Sequence, residues 1–265
     1  MPTFRPGAVA RALAAIIALL VAGLAGFVVA NGMAQVNPAS VMPVHLPAAR
    51  VPTPAPPLLT DIGRDALASV VTVEAELANG AEESLGTGWI FDRAGDVVTN
   101  AHVINGDISL RVTDRADHTR LARVVQSSAA LDLALLRVSG TLVGTPLPVD
   151  ATALTAVPVS VITLASSVAT GKGHDMTEEM LIGLDVSVPL SGSGVDAGQS
   201  SPQEYNDMLH LEGATIYRGN SGGPVLGASG EVIGIVTLAS PSAPEAYAIP
   251  ISRVLADLRL WAAHG

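Results

Sequence analysis

The stretch Gly219-Asn220-Ser221-Gly222-Gly223-Pro224-Val225 places a serine between an asparagine and two glycines, directly before an apolar run. Glycine lets the backbone bend tightly there and keeps neighbouring side chains off the hydroxyl. It also leaves the N–H groups of Gly219 and Ser221 free to point at one spot, as an oxyanion hole requires. Such a turn presents a nucleophile. A Gly-rich turn between two strands is the plain alternative, and the rest of the chain decides between them.

A serine hydroxyl needs a base to take its proton and a carboxylate to hold that base in the right tautomer. Of the six histidines, only His102 lies in a long strand-like apolar setting, Val97-Val98-Thr99-Asn100-Ala101-His102-Val103-Ile104. His210, between Leu209 and Leu211, is expected to alternate outward from a strand to solvent. The other four lie among Pro, Gly, Asp or terminal residues and read as solvated. Asp132 is a lone acid at the head of the apolar run Leu133-Ala134-Leu135-Leu136. Burying it is costly without a partner, so a partner is implied. Taken singly, a structural histidine and a turn-initiating aspartate explain these residues; taken together, His, Asp and Ser in that order suit nucleophilic catalysis.

Thr99-Asn100-Ala101-His102-Val103, Asp132-Leu133-Ala134-Leu135-Leu136 and Gly219-Asn220-Ser221-Gly222-Gly223-Pro224 together resemble the trypsin-like serine proteases, most of all their bacterial HtrA/Deg branch. Gly86-Thr87-Gly88-Trp89-Ile90 is similar to the family's strand before the histidine, and Ala246-Tyr247-Ala248-Ile249-Pro250-Ile251 to its closing strand. The resemblance implies an all-β, two-lobed chymotrypsin-like double β-barrel with a C-terminal α-helix and an active site in the cleft between lobes. It implies catalytic roles for His102, Asp132 and Ser221, an oxyanion hole from Gly219 and Ser221, polypeptide substrates, and catalysis without cofactor or metal. Thr215, six residues before the serine, would lie at the base of the primary pocket, lined by Ile216 and Leu238; with no carboxylate there, small or medium aliphatic side chains are expected rather than Arg or Lys. Thr237 would hydrogen-bond Asp132. Homotrimers occur among relatives, which allows a homo-oligomer here. Many relatives continue into a PDZ domain; this sequence ends at Gly265, and a domain without that module is expected.

The serine turn also fits the G-x-S-x-G nucleophile elbow of α/β-hydrolases. That fold needs its acid and then its histidine after the serine, and the only histidine after Ser221 is His264, next to the last residue. Chain order excludes it.

The chain has 265 residues, no cysteine and a formal net charge of −10. All 24 acids lie after residue 60, so a nucleic-acid role is unexpected for the folded part. Without cysteine the fold needs no disulfide, which leaves the compartment open. Ala12 to Ala30 is an apolar run of 19 residues preceded by Arg5 and Arg11. It is long enough for a transmembrane helix with its arginines cytoplasmic, which makes residues 1–35 a membrane anchor and sends the C-terminal domain outside the cytoplasm. A cleaved signal peptide ending near Gly32-Met33-Ala34 is the alternative, giving a secreted protein. Seven prolines in 38–57 make 36–60 a stiff linker, so the protease-like domain is expected over 61–265.

From Leu67 onward, short period-2 segments bounded by Gly, Asp and Asn predict strands over 71–76, 86–91, 97–99, 108–112, 121–125 and 133–138 in a first lobe. A second lobe follows with strands over 157–164, 181–188, 209–216, 224–226, 232–237 and 246–249. Residues 166–208 read as polar loop. Val254, Leu258 and Trp261 mark one face of a C-terminal helix capped by Ser252. Two functions remain in view: a membrane-tethered extracytoplasmic serine endopeptidase, and a latent or catalytically silent protease-fold module that binds peptides or a membrane partner.

Overall fold

A computed structural model of the chain describes residues 58–77, 84–152, 154, 156–171, 176–189, 204–213, 217–240 and 243–265. All of these belong to one unit, Ala55–Gly265. The apolar run Ala12–Ala30 and most of the Pro-rich segment lie outside the described residues. Among the described residues, no helix is long and apolar enough to cross a membrane.

Among the described residues, twelve strands carry the fold. β1 (Val70–Leu77), β2 (Ser84–Ile90), β3 (Asp96–Thr99), β4 (Asp107–Thr113), β5 (Thr119–Ser128) and β6 (Leu133–Val138) close a barrel in the order β1-β2-β3-β6-β5-β4. β7 (Val159–Leu164), β8 (Met176–Pro189), β9 (Glu204–Glu212), β10 (Pro224–Leu226), β11 (Val232–Ala239) and β12 (Glu245–Pro250) close a second. Its order, β7-β8-β9-β12-β11-β10, repeats the first with each strand advanced by six, and neighbouring strands are antiparallel throughout. Closure removes the free strand edges that a chain so rich in β-branched segments would otherwise expose. The double barrel expected from the sequence is therefore present.

Three apolar cores hold it. Val71, Val73, Val97, Leu110 and Leu136 fill the first barrel. Val161, Leu181, Leu211, Val225 and Val236 fill the second. A third cluster joins the barrels and includes Trp89, Leu133 and Leu135 from one side and Leu164, Leu226 and Ile235 from the other. Helix α3 (Ile251–His264) adds Val254 and Leu258 to that cluster. Each fully buried leucine there contributes roughly 1.5–3 kcal/mol relative to exposure, so the cluster fixes how one barrel sits against the other.

Several expectations change. Ser252 does not cap α3: β12 runs directly into Pro250, which is the N-cap with φ −60° and ψ 133°, and no side chain caps the helix. Proline pre-sets φ at this junction, so the turn needs no hydroxyl. Residues 166–208, read as loop, contain the short helix α2 (Ser167–Thr170) and most of the β8–β9 hairpin. β8 contains the strand expected over 181–188 but begins earlier, at Met176; it is half exposed over much of its length, which is why its polar residues hid its start. β9 begins at Glu204 and ends at Glu212, earlier at both ends than predicted. Helix α1 (Leu59–Ala66) lies at the edge of the expected linker, with Leu59, Ile62 and Ala66 packed against the joining core.

Candidate active site

β3 ends at Thr99, and the extended Asn100 (φ −80°, ψ 151°) passes the chain into a 3-10 turn, Ala101–Val103, that carries His102. Asp132 sits in the turn before β6 with φ +49°, a left-handed conformation that aspartate tolerates better than most residues. β3 and β6 are paired in register, Thr99 opposite Ala134, which brings the two turns together. The side chain of Asp132 is 1% exposed and that of His102 15%. His102 Nδ1 lies 3.0 Å from Asp132 Oδ1 and 2.9 Å from Oδ2, and the backbone N–H of His102 donates to Oδ1 at 3.0 Å. The buried acid has the partner that its sequence setting demanded. With Nδ1–H donated to the carboxylate, Nε2 is left as the basic nitrogen.

Ser221 enters from the second barrel, half-buried in the turn that leads into β10. Thr87 of β2 holds this turn with two groups and is itself tied to β3 by a third. Its N–H donates to the Ser221 carbonyl at 2.9 Å, its hydroxyl donates to the Gly219 carbonyl at 2.6 Å, and its own carbonyl accepts from the Thr99 hydroxyl at 2.7 Å. Gly219 (φ +95°) and Gly222 (φ +88°) take conformations that L side chains rarely adopt. Backbone presses on both: a Cβ at Gly219 would meet Ala169, and one at Gly222 would meet the Thr87 carbonyl and the Thr99 hydroxyl. Asn220 closes the turn, accepting from Tyr217 N at its side-chain oxygen (3.1 Å) while its carbonyl accepts from Gly223 N (2.9 Å). Among the described residues, no acceptor takes the N–H of Gly219 or Ser221.

The two halves meet through Asn100 and Thr237. The Asn100 amide donates to the Asp132 carbonyl and to the Thr237 hydroxyl, each at 2.9 Å. The Thr237 carbonyl in turn accepts from the Ser221 hydroxyl at 3.5 Å. The serine hydroxyl therefore faces Thr237 here; among the described residues, no hydrogen bond links it to the imidazole.

Thr237 was expected to bond the Asp132 carboxylate. Its hydroxyl instead accepts from Asn100 and donates to the Ile235 carbonyl at 3.3 Å, within its own strand. The hydroxyl that donates to Asp132 Oδ2 is that of Tyr205, at 2.9 Å, from the second residue of β9. Nothing in the polar neighbourhood Gln203-Glu204-Tyr205-Asn206-Asp207 marked it. The available signal was an aromatic hydroxyl in a strand, since buried tyrosines need a partner for the O–H.

Of the expected pocket residues, Thr215 and Ile216 lie outside the described residues. Leu238 is 2% exposed and packs in the joining core with Met208 and Ile235. His210 is half-buried rather than solvated: Tyr247 on the neighbouring β12 stacks on its ring at 4.8 Å. Among the described residues no group of three or more His, Asp or Glu could hold a metal ion.

A double barrel with a His–Asp pair on one side and a glycine-bounded serine on the other is the architecture of the trypsin-like peptidases. The family model of the trypsin-like peptidase domain matches residues 86–235, and the chain belongs to that family. Curated relatives are HtrA/Do-like proteases. Protease Do-like 1, chloroplastic, of Arabidopsis thaliana is 33% identical over 174 residues, covering 64% of this chain and 37% of that protein. HhoA of Synechocystis sp. is 35% identical over 181 residues, covering 68% and 43%. The chain thus spans about two-fifths of the length of these relatives. The Rv3671c protease of M. tuberculosis shares the fold: its active form superposes with a TM-score of 0.61 at 23% identity, covering 82% of this chain and 93% of that one. Its inactive form gives 0.59 at 23% identity, covering 81% and 98%.

Proposed function

We propose that the chain is a membrane-tethered, extracytoplasmic serine endopeptidase that uses His102, Asp132 and Ser221. The observation that carries the reading is the buried Asp132 carboxylate held 2.9 Å from His102 Nδ1, in a turn that Asn100 ties to the Ser221 side of the site. Ser221 Oγ attacks the peptide carbonyl while His102 Nε2 takes its proton, and Asp132 offsets the charge of the imidazolium. The N–H groups of Gly219 and Ser221 receive the oxyanion. Collapse breaks the C–N bond, and the leaving amine takes the proton from His102. Water then attacks the acyl-serine with the same base, releasing the acid product and restoring Ser221.

The resemblance assigns the base of the primary pocket to Thr215, an uncharged residue, which supports small or medium aliphatic side chains at the cleaved position. The apolar run Ala12–Ala30 behind Arg5 and Arg11 supports the anchor and its orientation. Since the chain has no cysteine, one introduced at Ala55 should react with a membrane-impermeant maleimide from outside intact cells. Labelling only after lysis would contradict the orientation.

The experiment for the activity is cleavage of a denatured, unstructured protein by the full chain, beside Ser221→Ala. Cleavage lost in the variant is the expected result; equal cleavage by both would sink the proposal. A second reading, a latent enzyme whose serine must first turn toward the base, is favoured by one observation: the Ser221 hydroxyl faces the Thr237 carbonyl. It predicts cleavage only when a partner, assembly or bound peptide is supplied.

A further inference from the structure

We infer that Tyr205 is a positioning residue for the proposed catalytic set, holding the Asp132 carboxylate in place from the opposite barrel. This rests on the reading of His102, Asp132 and Ser221 given above.

Tyr205 is 3% exposed and lies in the joining core, and its hydroxyl donates to a charged atom, Asp132 Oδ2, at 2.9 Å. A phenylalanine would fill the same core volume without a polar group to satisfy. The other carboxylate oxygen, Oδ1, accepts the backbone N–H of His102 at 3.0 Å. The imidazole Nδ1 therefore sits between two oxygens that are each pinned by a separate donor, one from each barrel. Rotation of the carboxylate about its Cβ–Cγ bond would break one of these bonds, so the imidazole ring inherits a fixed orientation.

The phenol also acts on charge. A donor to an ionised carboxylate favours the charged form and draws off part of its negative charge, which tempers its pull on the imidazole proton. The family position expected to supply this donor, Thr237, is engaged by Asn100 and Ile235 instead. Tyr205 reaches the same carboxylate from another strand of the second barrel. Any shift of β9 against the first barrel is thereby felt at Asp132.

The test is Tyr205→Phe in the full chain, with two readouts. The first is the low-field proton resonance of His102 Nδ1–H, assigned by its loss in His102→Ala. A carboxylate deprived of its phenol donor should pull harder, and the resonance should move further downfield. The second is the rate of fluorophosphonate labelling against pH, which should fall about tenfold at neutral pH and shift its midpoint upward. An unmoved resonance together with an unmoved labelling midpoint would overturn the inference. If the unsubstituted protein does not label at all, the proposed activity fails, while the resonance comparison still decides the role of Tyr205. Should the variant not fold, the unsubstituted protein with 13C-labelled tyrosine gives the same answer. The Tyr205 hydroxyl proton should then exchange slowly with solvent, and a rapidly exchanging one would overturn the claim.

Discussion

Asn100 and Thr237 are joined across the two barrels by a 2.9 Å hydrogen bond from a fully buried amide to a buried hydroxyl. The same amide holds the carbonyl of Asp132, so one side chain two residues before His102 connects both sides of the site. Asn100→Ala would leave that carbonyl and hydroxyl with an unmet partner in a dry setting. We expect a loss of about 1–3 kcal/mol in stability by denaturant unfolding, together with slower fluorophosphonate labelling. A variant as stable and as reactive as the parent would remove Asn100 from the account.

Gly222→Ala tests the shape of the serine turn. The residue has φ +88°, and a Cβ would press on the Thr87 carbonyl, which is backbone and cannot swing away. Substitution should lower thermal stability by several kcal/mol, on the order of a backbone strain plus a steric clash, and abolish labelling of Ser221. Gly213→Ala is the control, because its added Cβ meets nothing within 4 Å although its φ of +102° is equally unusual. It should be milder, with labelling retained.

Glu179 gives stability a pH dependence that has nothing to do with catalysis. It is 3% exposed on β8, its Oε1 accepts from the Thr163 hydroxyl at 2.8 Å, and burial pushes its carboxyl up from 4.5 to about 7. Because the folded form holds its proton more tightly than the unfolded chain, the folded state is favoured at low pH. This advantage is lost as pH rises from the ordinary value of 4.5 to about 7, and above that the cost of the buried charge is complete. The difference is on the order of 3 kcal/mol. Glu179→Gln, which mimics the neutral acid, should match the parent near pH 4.5 and exceed it in melting temperature at pH 8. Identical pH dependence in the two proteins would show that Glu179 is not the group responsible.

Arg137 and Asp96 close the far end of the two strands that carry His102 and Asp132. They face each other in the β3–β6 register, with Arg137 donating to both carboxylate oxygens, one bond being 2.8 Å. The Asp96 side chain is wholly buried and that of Arg137 is 26% exposed. Arg137→Met should cost roughly 3–5 kcal/mol by leaving a buried charge without its partner. Adding Asp96→Asn to it should recover part of the loss, a coupling that a double-mutant cycle in urea would reveal.

Much of this could be read from the chain before its structure. The triad candidates were legible because each breaks its local pattern: an imidazole and a carboxylate beside apolar strands, and a serine among glycines. Ten of the twelve strands announced themselves by alternation and turn residues, while β8 and β9 did not show their full length. β8 puts polar residues on a half-exposed face, and period-2 burial is blurred there by three register shifts against β9. Helix α1 was hidden because its eight residues follow a run of prolines and lack a side-chain cap; Gly63 within it looks like a breaker but packs beneath Met176 and Ile162. The roles of Tyr205 and of Asn100 as the donor to Thr237 could not be read, since both depend on contacts between residues more than 70 positions apart. Sequence spacing carries no record of which hydroxyl reaches a carboxylate first.

The most direct measurement of the central claim is site mapping by mass spectrometry after fluorophosphonate labelling of the full chain, with His102→Ala and Asp132→Asn alongside. The account predicts one adduct, on Ser221, abolished by His102→Ala and slowed at least a hundredfold by Asp132→Asn, as the loss of the correct tautomer demands. An adduct on another residue, or labelling of Ser221 that persists unchanged in both variants, would contradict it.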